Sequence, residues 1–170
     1  GLREVRAMAG VSRRHAQLAR TARVLRHKRR LQRLAARGRL ALHNLSDTSF
    51  ALLGDGSLFA WGSYDVVRAC KPRDAGYVAV ANGVSHCVAL RHDGRVVTWG
   101  DTRWQQCNDT PTNSGYVSIA CGGRQSAALH GDGRVVVWGN SRACADAPSG
   151  AGYVAVACGK KHGLTLWGDG

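Results

Sequence analysis

The sequence lacks several features that define common classes of protein. Its 170 residues include one Met, three Pro, two Phe and a single glutamate, Glu4. No apolar run reaches the roughly 18–20 residues needed to cross a bilayer, and no apolar signal-peptide core follows the N-terminus. We therefore predict no membrane span and no secretory signal.

The usual signatures of catalysis are also missing. Gly-rich strings such as Cys121-Gly122-Gly123-Arg124 lack the Lys-Ser/Thr pair of a phosphate-binding loop. Four of the ten Asp residues stand in Asp-Gly pairs, where the side chain serves a backbone turn. His86 and His162 share a slot where a strand-edge hydrogen bond is a simpler role than catalysis. We predict that the chain is not an enzyme, with no catalytic residue and no cofactor.

The six cysteines do not have metal-binding spacing. No Cys-x-x-Cys pair occurs, and Cys70, Cys107 and Cys144 instead recur every 37 residues. Cys121 and Cys158 share another recurring position. We interpret these cysteines as small buried hydrophobic residues of a repeat, and we predict a reducing compartment and no metal site.

A repeated passage dominates what is present. Its copies begin at Gly38, Gly76, Gly115 and Gly152, which are 38, 39 and 37 residues apart. The second copy reads GYVAVANGVSHCVALRHDG, and the fourth ends at Gly170. A period near forty residues is typical of stacked or radial units, none of which folds alone.

Each copy predicts three short strands. In the second copy they cover residues 77–81, 87–91 and 95–99, and Asp93-Gly94 forms a tight hairpin between the last two because Gly supplies the positive φ. Trp-Gly ends the third strand in the first three copies. The predicted repeat core contains three Trp and three Gly: Trp61, Gly62, Trp99, Gly100, Trp138 and Gly139.

These units predict a mostly β fold. Three and a half short β-repeats, at 38–75, 76–114, 115–151 and 152–170, form a partial propeller-like arc that buries the Trp and Val rows between sheets. The Trp residues alternatively form a surface that stacks on bases or sugars. At the fourth unit, the strand near Leu164–Leu166 has an open edge, for which we predict a covering protein or further chain.

The repeat resembles that of the regulator of chromosome condensation family, which reads roughly V-x-x-V-A-x-G-x-x-H-S-x-A-L-x-x-D-G-x-V-x-x-W-G. In the second copy Gly83, His86, Leu90 and Asp93 are among the matching residues, and the likeness extends over residues 38–170. It implies a propeller fold. The units here are shorter than the family's usual fifty or so residues, and no segment resembles the wedge that performs nucleotide exchange on a small GTPase, so we expect the fold without that activity.

A basic arm precedes the repeats. Residues 1–37 carry 12 Lys/Arg and one acid, a net charge of +11, whereas residues 38–170 carry 12 Lys/Arg and 10 Asp, a net charge of +2. Abundant Ala, Arg, Leu and Gln predict a long basic N-terminal α-helix that ends at Gly38. Its cations surround the helix axis, which favours an environment rich in anions. Organelle transit peptides share this Arg-rich, acid-poor composition.

The arm leads to our first functional hypothesis, RNA binding through phosphate neutralisation. The predicted contacts are Arg13, Arg14, Arg20, Arg23, Arg26, Lys28, Arg29, Arg30, Arg33 and Arg37. Acidic protein or lipid surfaces, and DNA or chromatin, are the alternative partners. The corresponding protein is a structural component of a large ribonucleoprotein, such as a mitochondrial ribosome, whose arm contacts rRNA and whose repeats dock on neighbouring proteins in a mitochondrion or other organelle.

Two alternative functions stay open. The family resemblance favours a chromatin-linked or small-GTPase-linked interaction module with a basic tail. The third hypothesis is an accessory subunit of an organellar membrane complex, with the arm lying on anionic lipid or acidic subunits.

Overall fold

A computed structural model describes residues 39–41, 48–62, 69–139, 144 and 146–168. These residues form eleven strands in four small antiparallel sheets, which we call blades 1 to 4. The helix predicted for residues 1–37 lies outside the described residues. Within the described part the predicted mostly β fold is confirmed, with one blade in each repeated unit.

The strands follow one another in chain order within each blade. Blade 1 contains β1 (Arg39–Ala41), β2 (Thr48–Leu52) and β3 (Leu58–Gly62). Blade 2 contains β4 (Tyr77–Asn82), β5 (His86–Arg91) and β6 (Val96–Gly100). Blade 3 contains β7 (Tyr116–Cys121), β8 (Gln125–His130) and β9 (Val135–Gly139). Blade 4 contains β10 (Tyr153–Cys158) and β11 (Gly163–Trp167).

The Asp-Gly hairpins form where the sequence predicts them. Gly94 has φ of +84° between β5 and β6, and Leu90 pairs with Val96 across the turn. The carboxylate of Asp93 accepts a hydrogen bond from the backbone N–H of Arg95 at 3.0 Å. The same Asp–backbone bond recurs in the hairpins of blades 1 and 3. The aspartates therefore serve the turns, as their position predicts.

Successive blades pack face to face, and we call each contact between neighbours a joint. The first strand of each blade contacts the first and middle strands of the blade before it. In the joint of blades 1 and 2, Trp99 packs edge-on against Phe50, with ring centroids 5.6 Å apart. In the joint of blades 2 and 3, Trp138 lies in a buried cluster with Val88 and Leu90. The Trp of one unit thus completes the core of the unit before it.

Backbone hydrogen bonds connect the blades at every joint. The turn glycine of each hairpin accepts a hydrogen bond from the N–H of the Tyr that opens the next blade. The donor–acceptor pairs are Tyr77 to Gly56 at 2.9 Å, Tyr116 to Gly94 at 3.0 Å and Tyr153 to Gly133 at 3.0 Å. The approach is so close that a Cβ on Gly94 would lie 2.8 Å from the N of Gly115. Glycine is needed there for space as well as for its positive φ.

One predicted core residue differs from its equivalents. Trp99 and Trp138 are buried, whereas Trp61 is 39% exposed and stacks at a tilt on the exposed Phe59. The reason is its position in blade 1, because this Trp slot packs on a preceding blade and the described residues include none before blade 1. Gly62, Gly100 and Gly139 end their strands with positive φ, as the Trp-Gly pattern predicts.

Candidate protein-interaction surface

The blades have two chemically different ends. At the turn end lie the Asp-Gly hairpins. At the loop end lie the connections between the first and second strands, which are residues 83–85, 122–124 and 159–162. The segment 101–109, which follows β6, lies there as well. The pairing of His86 with Gly100 places that segment beside the first of these loops.

The loop end is held together by backbone contacts. Asp101 N donates to Ser85 O at 2.8 Å, and Gly123 N donates to Lys160 O at 3.2 Å. A Cβ on Gly123 would lie only 2.4 Å from that Lys160 oxygen. Because backbone atoms fix these loops, the side chains that they carry project from a defined platform.

An aromatic–cation pair stands on this platform. The guanidinium of Arg124, in the loop of blade 3, lies over the ring of Trp104 at 3.9 Å from its centroid. Trp104 is 38% exposed and belongs to the segment after blade 2, so the pair bridges the joint of blades 2 and 3. Its backbone N donates to the side-chain oxygen of the buried Gln106 at 2.8 Å. An Arg stacked in this way keeps its donor edge available for a carboxylate or phosphate.

The neighbouring ion pair has a structural role. The carboxylate of Asp101 is almost buried, and it accepts hydrogen bonds from Arg103 Nε and Nη2 at 2.9 Å and 2.6 Å. The Arg103 hydrogen bonds keep the pKa of Asp101 below its usual value. A permanently charged Asp101 therefore fixes the start of the segment 101–109.

Positive charge exceeds negative charge among the other loop-end residues. Arg124, Lys160 and Lys161 are exposed, and no carboxylate of the described residues lies within ion-pair distance of them. Val84 adds an exposed apolar side chain beside the cations. We call Val84, Trp104, Arg124, Lys160 and Lys161 the loop-end surface. It combines cations with apolar area, which suits an acidic protein partner.

At the turn end several charges are compensated locally, whereas Arg95 is exposed and has no carboxylate of the described residues within ion-pair distance. Arg91 pairs with Asp74, and Arg134 pairs with Asp132 at 2.7 Å. Burial acts to raise the pKa of Asp132, but hydrogen bonds from Arg134 and His130 outweigh it and hold the pKa well below its usual value. These charges are occupied with each other, so the loop end is the better candidate for binding.

The repeat position that His86 occupies contributes to the joint of blades 2 and 3. His86 is fully buried, with Nε2 2.8 Å from Ser126 Oγ and 3.1 Å from Cys121 Sγ. Burial lowers the pKa of His86 to about 4, although a hydrogen bond with the Gln125 backbone and the charge of Asp101 oppose this. Burial also raises the pKa of the Cys121 thiol well above its usual value. A neutral imidazole beside a neutral thiol stabilises the joint without supplying a nucleophile.

The cysteines lie in three environments. Cys87 and Cys121 are buried strand residues, as the repeat predicts, whereas Cys107, Cys144 and Cys158 are half-buried and Cys70 is exposed. Cys70 follows β3 in a connection between blades, where no strand of the described residues covers it. In the described part of the chain, no group of three His, Cys, Asp or Glu residues has the placement to hold a metal ion. No described helix has the length and apolar character to cross a membrane.

Blade 4 leaves apolar residues uncovered. Leu164 and Leu166 are 65% and 57% exposed, whereas Val88 and Leu90 at the equivalent positions of blade 2 are fully buried. Among the described residues β11 pairs with β10 alone. The open edge predicted near Leu164–Leu166 therefore exists in the described part of blade 4.

The ten predicted RNA contacts, from Arg13 to Arg37, lie outside the described residues. The sequence did not single out Arg124, Trp104, Lys160 or Lys161. One feature of the sequence points to the loop residues among them. The positions directly after the recurring Gly83, Gly122 and Gly159 vary between copies, whereas the strands stay alike.

Four small antiparallel sheets of one repeated pattern, the first three of them joined through Trp99 and Trp138, resemble the blades of a propeller. Residues 116–143 match the family model of the Regulator of chromosome condensation (RCC1) repeat. The resemblance predicted from the sequence is thereby confirmed, and residues 116–143 carry a repeat of this type. No curated protein was found to match the sequence.

Solved structures share the fold. The CRINKLY WD40 ectodomain of the Arabidopsis thaliana receptor kinase ACR4 covers 75% of this chain with 21% identity and a TM-score of 0.62. Prp20p from Saccharomyces cerevisiae, studied with its binding to Gsp1p and histones, covers 78% with 21% identity and a TM-score of 0.60. Human WBSCR16 covers 75% with 19% identity and a TM-score of 0.58. This chain spans 41–44% of the length of these structures.

Proposed function

We propose that the chain is a protein-interaction module that presents its loop-end surface to an acidic protein partner. The observation that carries the proposal is the stacked pair of Arg124 and Trp104 beside Lys160 and Lys161. Exposed cations around a partly exposed aromatic ring are typical of binding surfaces, in which an aromatic or Arg anchor is surrounded by polar contacts.

The comparison with Prp20p supports this proposal over the ribonucleoprotein hypothesis. Prp20p binds Gsp1p and histones, and it has the same fold. A chromatin-linked or small-GTPase-linked module is therefore the favoured form of the function. The ribosomal, RNA-binding and organellar predictions rest on residues 1–37 alone, and no comparison supports them.

A binding assay with two classes of partner tests the proposal. We expect the full chain to be retained either by immobilised mononucleosomes or by an immobilised nucleotide-free small GTPase. Replacing Arg124, Lys160 and Lys161 by Gln should weaken that binding at least about tenfold, because three positive charges that attract an acidic partner are lost together.

The control is Arg95→Gln, which is compared with the single variant Arg124→Gln. Arg95 is an exposed cation of the turn end, so each of these two variants removes one positive charge, at opposite ends of the blades. Equal binding by the triple variant and the unaltered chain would contradict the proposal, as would retention of neither partner. RNase treatment of the same samples separates a protein partner from an RNA bridge, because only RNA-bridged retention is lost.

A further inference from the structure

A single buried residue connects the loop-end surface to the joint of blades 2 and 3. Gln106 lies in the segment 101–109, and its side chain is fully buried. Its side-chain oxygen accepts a hydrogen bond from the backbone N–H of Trp104 at 2.8 Å, and its Nε2 donates to Ser85 Oγ at 3.3 Å. Because an amide both accepts and donates hydrogen bonds, this one side chain ties the segment to the loop of blade 2.

The main chain of Gln106 reaches the core of the joint. Trp138 packs in the buried cluster that blades 2 and 3 share, and its Nε1 donates to Gln106 O at 3.1 Å. A buried indole N–H needs such an acceptor. Gln106 is therefore bonded both to a core residue of the joint and to the residue that carries the exposed ring of the loop-end surface.

The residue between Trp104 and Gln106 has an unusual backbone conformation. Gln105 has φ of +60°, and among the described residues it is the only one other than glycine with positive φ. Two turns meet there, since Gln105 N donates to Thr102 O at 3.0 Å and Asn108 N donates to Gln105 O at 3.2 Å. A residue that is not glycine keeps such a conformation where the surrounding contacts impose it. The side-chain bonds of Gln106 supply contacts of this kind.

The cation of the stacked pair depends on the ring beneath it. Arg124 is exposed, and no carboxylate of the described residues lies within ion-pair distance of it. Its guanidinium instead lies 3.9 Å from the centroid of the Trp104 ring. The orientation of that ring therefore decides the direction in which Arg124 points its donor edge.

We infer that Gln106 is the positioning residue of the loop-end surface. Its bond with Trp138 fixes it to the packed joint, and its bond with Trp104 passes that position to the exposed ring. Arg124 is thereby held with its donor edge toward a partner only where blade 3 is packed on blade 2. The effect on binding rests on the proposed function, whereas the positioning of the stacked pair does not.

NMR spectroscopy of the full chain tests the positioning without any partner. Protons above an aromatic face are shielded by the ring current, so the Arg124 side-chain protons should be shifted upfield in the unaltered chain. We expect Trp104→Ala to abolish this shift, and Gln106→Met, which has a similar volume without the amide, to abolish it as well. Gln106→Asn is a second variant, because its shorter amide keeps a polar group in the site but does not reach Trp104 N. An upfield shift retained by either folded Gln106 variant would overturn the inference.

A variant at the other end of the same joint is the control. Tyr116→Phe removes the hydrogen bond from Tyr116 Oη to Asn113 Oδ1, which has a length of 2.9 Å and lies at the turn end. We expect this variant to keep the upfield shift of the Arg124 protons. Loss of the shift in Tyr116→Phe as well would mean that any loosening of the joint disperses the pair, and would contradict a specific role of Gln106.

Binding is the second readout. Gln106→Met should weaken binding of the retained partner about as much as Arg124→Gln does. In a chain that already carries Arg124→Gln, it should weaken binding by less than about twofold further, because residues that act through one contact are not additive. An equal further loss in both backgrounds would contradict positioning through Arg124. Retention of neither partner would contradict the proposed function alone, since the NMR measurement still decides the role of Gln106.

Discussion

The joint of blades 2 and 3 and the joint of blades 3 and 4 share their backbone bonds and differ in their filling. In both, a Tyr N–H donates to the preceding turn glycine, at 3.0 Å. The first joint contains Trp138 in a buried cluster, whereas the second contains a cavity of about 410 Å³. The comparison shows that the same main-chain bond occurs in two joints whose described side-chain contacts differ.

The polar contacts of the two joints also differ. At the joint of blades 2 and 3, His86 lies against Ser126 and Cys121. At the joint of blades 3 and 4, Gln125 occupies the same slot and donates from Nε2 to His162 O at 2.8 Å. One repeat position thus serves the same joint-forming role through two different side chains, one of which titrates and one of which does not.

Removing a Trp that is buried in a joint should have the largest effect on the free energy of unfolding. Trp99→Ala deletes a buried ring that packs on Phe50, and we expect a loss of about 3–5 kcal/mol in the free energy of unfolding. The matched control is Trp61→Ala, which should cost less than about 1 kcal/mol because that ring is already 39% exposed. Denaturant unfolding of both variants measures the difference, and equal losses would contradict the joint described here.

Blocking a backbone bond should have the next largest effect. Gly94→Ala places a Cβ 2.8 Å from Gly115 N at φ of +84°, so strain and overlap should together cost roughly 3 kcal/mol of stability. Gly150→Ala is the control, because Gly150 has φ of +97° and nothing within 4 Å of a Cβ. It should lose only the strain, about 1–2 kcal/mol. Similar losses in the two variants would show that the close approach at Gly94 is unimportant.

Because His86 titrates, the joint of blades 2 and 3 should make the free energy of unfolding depend on pH. The pKa of His86 is lowered from about 6.5 in the unfolded chain to about 4 in the folded one, so the unfolded chain binds a proton first. Above pH 6.5 His86 is neutral in both states, so its contribution to the free energy of unfolding is complete. Between pH 6.5 and 4 this contribution is lost, by roughly 3 kcal/mol in total. His86→Gln, which copies the residue at position 125, should remove this part of the dependence. Parallel stability–pH curves for the variant and the unaltered chain would contradict the assignment.

The stacked pair of Arg124 and Trp104 should have the smallest effect on the free energy of unfolding. A cation over an exposed Trp is worth about 0.5–1 kcal/mol, so a double-mutant cycle of Arg124→Gln and Trp104→Ala should give a coupling of that size. Lys161→Gln with Trp104→Ala is the control cycle and should give none. A zero coupling between Arg124 and Trp104 would mean that their stacking does not stabilise the joint of blades 2 and 3.

Much of each blade could be predicted from the sequence because strands and hairpins are local. The predicted strand at residues 77–81 became Tyr77–Asn82, and the turn at Asp93-Gly94 formed as expected, since φ preference and alternation act over a few residues. Repetition strengthened each assignment by supplying the same pattern several times.

The contacts between blades could not be predicted in the same way, because they depend on which units become neighbours. Trp61 and Trp99 hold the same slot, yet only the second has a blade to pack against. Arg124 and Trp104 belong to connections of unequal sequence, and only the joint of blades 2 and 3 brings them within 3.9 Å. The candidate surface therefore required the structure.

The bond from each Tyr N–H to the preceding turn glycine has a consequence for divergence. Donor and acceptor are both main-chain atoms, so substitution of almost any side chain leaves the bond intact, provided that the turn residue has no Cβ. The bond therefore places a strict requirement on the turn glycine and almost none on the side chain of the residue that donates to it.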